Sequence, residues 1–81
     1  MDSPHEIKFC DDKSIYLINA TGNLRQLFVP FKVQCIKTVG NIKTDNWVYV
    51  EQIAQHPQFL IVYRVFDNWI PFSCFRIIIY Y

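Results

Sequence analysis

The 81-residue chain has only two glycines, Gly22 and Gly40. No Gly-rich loop can be built from so few, which excludes the phosphate-cradling loops of nucleotide-binding folds. Its three cysteines, Cys10, Cys35 and Cys74, are odd in number, far apart and in no CxxC pair. A disulfide framework is therefore not expected, and reduced thiols in a cytoplasmic protein are. The longest unbroken apolar runs, Phe59 to Tyr63 and Ile77 to Tyr81, are five residues each, against the roughly 20 that a membrane helix needs. Met1 to Lys8 carries Asp2, Pro4, His5 and Glu6 where a secretory signal would place a basic and then an apolar stretch. The expectation is a soluble protein.

Chemistry-bearing constellations are also scarce. The metal-ligand candidates His5, Cys10, Cys35, His56 and Cys74 lack the close pairs from which structural zinc sites are normally drawn. No cysteine stands in a recognisable context with a base that would activate it. Asp11-Asp12 reads as a turn rather than as paired catalytic carboxylates. No enzyme and no cofactor is expected.

What the chain does have is apolar surface. Hydrophobic residues make up 52% of it, with seven Phe, five Tyr and two Trp, where a typical chain is about 45–50% apolar even with Gly counted. A single domain over residues 1–81 is expected, and one this small buries only roughly 60–65% of its unfolded surface. Some of those rings are then left for a partner or a second copy.

Net charge is only +1, but its distribution is uneven. From Lys13 through Thr44 there are five basic residues and no acid, and the remainder holds all seven acids against Lys8, Arg64 and Arg76. Solvated strand faces account for such a stretch. The alternative is an anion-facing surface built from Arg25, Lys32, Lys37 and Lys43.

Period-two alternation dominates the chain. Glu6 to Cys10 and Ser14 to Ile18 read as strands flanking an Asp11-Asp12-Lys13 turn. Asn19 to Asn23 is a loop. Asn23 is placed to cap one helical turn carrying Leu24, Leu27 and Phe28 at helical spacing. Phe31 to Val39 is the cleanest strand, with Phe31, Val33 and Cys35 on one face and Lys32 and Gln34 on the other. Trp47 to Ile53 has strand content, and Phe59 to Phe66 has the profile of a central strand covered on both faces. Asp67-Asn68 is the expected hairpin turn.

Residues 47–81 resemble the last strands of SH3-like barrels. The hairpin would be Trp47 to Phe66, the helical turn Ile70 to Ser73, and the final strand Cys74 to Tyr81. Five to seven short strands at intervals of about ten residues point to a small barrel or sandwich. The resemblance implies an all-β, SH3-like small barrel, with the first half leaving an OB-like or sandwich topology open. Many unrelated functions share that fold, so it implies no activity.

The function expected is a non-catalytic module acting through protein–protein contacts and self-association, as a homodimer or larger. An adaptor or inhibitor from a phage or mobile element is the expected kind. The candidate interaction surface is Trp69, Phe72, Phe75, Arg76, Tyr80 and Tyr81, because Trp, Tyr and Arg dominate interface energies. Phe72 and Phe75 could equally plug the end of the core. One alternative is nucleic-acid binding, in which basic residues flank stacking rings. Another is an oligomer that sequesters a small anionic ligand such as a nucleotide.

Overall fold

The computed structural model describes residues 5–78, and these form nine strands and one 3-10 turn. Strands β1 (His5–Asp11), β2 (Ser14–Asn19) and β3 (Leu24–Phe28) make one antiparallel sheet in that order. Strands β4 (Phe31–Cys35), β5 (Trp47–Val50) and β9 (Phe75–Arg76) make a second, ordered β5-β4-β9. Strands β6 (Gln52–His56), β7 (Leu60–Val65) and β8 (Asn68–Pro71) make the third, and the 3-10 turn Phe72–Cys74 links β8 to β9. The domain is thus all-β, but its described sheets do not close into one barrel. It has nine described strands where five to seven were expected, because the chain bends at Glu51 and reverses often between short strands.

Alternation fixes which side of each strand is buried. Phe31, Val33 and Cys35 on β4 and Val48 and Val50 on β5 point into the core, while Lys32, Gln34, Trp47 and Tyr49 point outward. Glu51 is the corner where the chain leaves one sheet for the next. Its backbone N–H already donates to the Arg64 carbonyl at 2.8 Å, extending the β6–β7 ladder. β7 lies between β6 and β8, with Ile61, Val62, Tyr63 and Val65 buried. It is central as expected, but Phe59, Leu60 and Phe66 of the expected buried run are exposed. The N-terminal sheet docks through the Ile53 N–H, which donates to the Asp12 carbonyl at 3.0 Å. It contributes fully buried Ile15 and Leu17 to a single core shared with Val33, Val50, Ile53 and Val65. Within that core Phe31 meets Tyr63 edge-on at 5.6 Å between ring centroids.

Three local expectations are corrected. Residues 24–28 are not a helical turn but strand β3, paired with β2 from Ser14↔Phe28 to Ile18↔Leu24. Ladder bonds to β2 satisfy a backbone that an isolated helical turn would leave largely unpaired. The last hairpin turns at Phe66-Asp67 rather than Asp67-Asn68, with Val65 opposite Asn68. Both turn residues take positive φ, 50° and 63°, as a two-residue type I′ hairpin demands. Cys74 lies in the 3-10 turn, so the last strand among the described residues is Phe75–Arg76 rather than one starting at Cys74. Tyr80 and Tyr81 lie outside the described residues.

Candidate functional site

The rings divide sharply between core and surface. Of the twelve described aromatic residues, Phe31, Tyr63 and Phe75 are buried and six are exposed: Phe28, Trp47, Tyr49, Phe59, Phe66 and Trp69. The surplus expected from composition is therefore on the outside of this chain.

Two of these rings rim a cleft of about 500 Å³. One wall is Val39 to Ile42, a tight reversal closed by reciprocal Val39 and Ile42 backbone bonds of 3.0 and 2.9 Å. The other is the β7–β8 turn with Phe66, Asn68, Trp69 and Ile70. No lining side chain is charged. The Asn68 amide donates to the Phe66 carbonyl at 3.0 Å, and Arg64 donates to the Asp67 carboxylate at 2.9 Å, so this turn is pinned on both sides. Phe66 is 64% exposed and sits in the left-handed backbone region that Gly, Asn or Asp would occupy with least strain. For an L-residue with a Cβ that conformation costs about 1–2 kcal/mol. A large apolar side chain held at a strained, exposed turn contributes little to the core beneath it.

A second cluster occupies the outer face of the β5-β4-β9 sheet. Lys32 is opposite Tyr49, and Gln34 is opposite both Trp47 and Arg76. The Lys32 ammonium lies 5.2 Å from the Trp47 ring centroid, within cation–π range. Arg76 donates twice to the Gln34 side-chain oxygen, at 3.0 and 2.9 Å. Exposed Asp45 and Glu51 flank β5 in sequence.

The residues expected to form one interaction surface are dispersed. Trp69 is half-exposed beside the cleft, Phe72 is half-buried in the 3-10 turn, and Arg76 is exposed on the second sheet. Phe75 is buried and packs 6.1 Å from Tyr63, so it serves the core. The four basic residues are all exposed but spread over β3 (Arg25), β4 (Lys32) and the Ile36–Asn46 loop (Lys37 and Lys43). Sequence reasoning missed Phe66 because nothing in a Phe-Asp pair announces a turn. The register Val65↔Asn68 would have revealed it.

Polar side chains outside these surfaces serve local structure. His56 Nδ1 accepts the Gln58 and Phe59 N–H groups at 3.1 and 3.2 Å, ordering the β6–β7 turn. Asp11 accepts the Lys13 N–H at 2.8 Å and the Ser14 hydroxyl at 3.1 Å. The Lys13 N–H bond is the main reason its carboxyl is held below the ordinary 3.8. A hydrogen bond with Cys10 pushes the Tyr16 phenol above its usual range. Among the described residues, no three His, Cys, Asp or Glu side chains come together as metal ligands, and all three cysteines are free. Among the described residues no helix is long and apolar enough to cross a membrane. No protein-family model, curated protein or solved structure matches this chain.

Proposed function

We propose that this protein is a non-catalytic protein-binding module that also associates with itself, and that the Phe66–Trp69 rim is its main contact surface. The observation that carries this reading is Phe66. Folding alone favours a small polar residue at its backbone angles, so a phenyl group there is best explained by what it touches outside the chain. The uncharged cleft beside it suits an apolar side chain of a partner, and that lining favours such a contact over a small anionic ligand. Free thiols support a reducing, cytoplasmic setting. An SH3-like reading of the C-terminal half belongs to the same proposal. It is supported by the chain path from the bent β5–β6 strand through the β7–β8 hairpin and 3-10 turn to β9, which pairs with β4.

Selection from an unbiased peptide display library tests the main reading. Enriched peptides should carry an uncharged aromatic or aliphatic anchor, and their binding should be lost with Phe66→Ser/Trp69→Ser. Failure to enrich, or enrichment that the double variant leaves intact, counts against it.

Single-stranded nucleic acid is the second reading, favoured by Lys32 over Trp47 with Tyr49 and Arg76 on the same sheet face. A labelled oligonucleotide titration at two salt concentrations decides it. Steeply salt-dependent binding, weakened by Trp47→Ala, supports this reading. No binding at low salt removes it.

A further inference from the structure

The outer edge of β3 has an unusual combination of features. No described strand pairs with it beyond β2. The Val29 N–H donates to the Lys13 carbonyl at 2.8 Å, and the Asn19 N–H donates to the Asn23 carbonyl at 3.1 Å. With the register Ser14↔Phe28 through Ile18↔Leu24, these flanking bonds fix the alternation of the ladder. Arg25 and Leu27 turn their backbone groups toward β2, so Leu24, Gln26 and Phe28 turn theirs outward. Among the described residues, three N–H and three C=O groups therefore line the edge without a β-ladder partner.

Natural edges are normally guarded by charged side chains, proline, bulges, short length or a covering segment, and on β3 the only charge is Arg25. Three other edges here carry further guards. β1 has a bulge between Phe9 and Asp11, β8 is four residues long and ends in Pro71, and β6 is engaged by Asp12. Within Leu24–Phe28 there is no proline, and its register with β2 is unbroken. Leu24 and Phe28 are 61% and 63% exposed. The Gln26 side chain lies back over its own sheet, its amide 3.1 Å from the Ser14 hydroxyl, and leaves the edge clear.

The strand is also complementary to itself. Run antiparallel about Gln26, two copies set Gln26 opposite Gln26 and Leu24 opposite Phe28 on both sides of the axis. Every outward N–H then meets an outward C=O, giving six hydrogen bonds, and the two apolar pairs fall on one face. Arg25 falls opposite Leu27, so no like charges face one another.

We propose that this protein forms a twofold homodimer by antiparallel pairing of its β3 edge strands, joining two three-stranded sheets into one of six strands. The proposal rests on the self-association part of the reading above and names the surface responsible. It does not use the Phe66–Trp69 rim.

The test compares solution mass across a dilution series for the intact protein and two double variants. Leu24→Lys/Phe28→Lys sets like charges opposite one another at both apolar pairs. Leu24→Lys/Phe28→Glu removes the same side chains but sets opposite charges there. The wild type should pass from monomer to dimer with concentration, the like-charge variant should associate at least tenfold more weakly, and the opposite-charge variant should recover in low salt. Amide exchange on the wild type needs no substitution. The Leu24, Gln26 and Phe28 amides should slow at least tenfold from dilute to concentrated protein, while Arg25 and Leu27 are protected throughout.

A wild type that stays monomeric at every concentration overturns both this dimer and self-association, leaving the peptide-binding rim standing. A dimer that the like-charge variant does not weaken, or one without added protection at those three amides, overturns strand pairing alone.

Discussion

Tyr63 offers the sharpest test of the packing. It is 1% exposed, its ring packs against Phe31 and Phe75, and its hydroxyl has no hydrogen-bond partner among the described residues. Such a buried, unpaired hydroxyl costs about 1–3 kcal/mol. Tyr63→Phe keeps the ring contacts and removes only that oxygen, whose small void costs a few tenths of a kcal/mol, at roughly 24 cal/mol per Å³. The variant should therefore be more stable by about 1–2 kcal/mol. For a domain of this size each kcal/mol raises the thermal midpoint by roughly 4–8 °C. Burial also pushes the Tyr63 phenol well above its ordinary 10.0. A raised folded value means that its contribution is fully present below pH 10 and is lost progressively as pH rises, because the unfolded chain ionises first. Tyr63→Phe should remove that part of the alkaline fall. Urea unfolding of both proteins between pH 7 and pH 11 reads both effects. A variant less stable by 1 kcal/mol or more at pH 7 would refute the reasoning, because it would mean the hydroxyl is well bonded.

Other consequences follow from the same packing. Ile53→Ala, at a fully buried position where the third sheet meets the first, should cost about 2–5 kcal/mol in chemical unfolding. Phe66→Asn relieves about 1–2 kcal/mol of left-handed backbone cost at the loss of a mostly exposed ring. Its unfolding midpoint should stay at or above the wild-type value, and a drop of more than about 1 kcal/mol would mean that the ring supports the core. Asp11 titrates below the ordinary 3.8, so its contribution is fully present above pH 4 and is lost as pH falls through the depressed value. An NMR titration should place its midpoint below 3.8, and Asp11→Asn should flatten the acid limb of the stability profile.

The parts of the fold that one strand can encode were legible in the sequence. Phe31/Val33/Cys35 against Lys32/Gln34 gave both faces of β4, and the apolar run before Phe66 marked β7 as central. The 3-10 turn after Pro71 also lay close to its expected place. What was not legible depended on pairing between strands. Leu24, Leu27 and Phe28 fit helical spacing and break strand alternation, and only the ladder to β2 overrides that local signal. Turn chemistry favoured Asp67-Asn68, yet the observed register sets Ile70 opposite Tyr63, and Phe66 accepts a strained backbone in consequence. Fourteen aromatic residues pointed to a surface surplus without saying which rings it comprised. Phe75 goes inside because β9 pairs with β4 at Cys35, a partnership separated by forty positions of chain.

The account depends most on tryptophans that meet solvent while the aliphatic core and three buried rings sustain the fold. Acrylamide quenching of single-tryptophan proteins, Trp47→Phe to observe Trp69 and Trp69→Phe to observe Trp47, measures this directly in dilute solution. Exposures of 46% for Trp47 and 48% for Trp69 predict red-shifted emission and ready quenching of both indoles. Blue-shifted emission that resists acrylamide at both positions would place them inside and remove the basis for a binding surface.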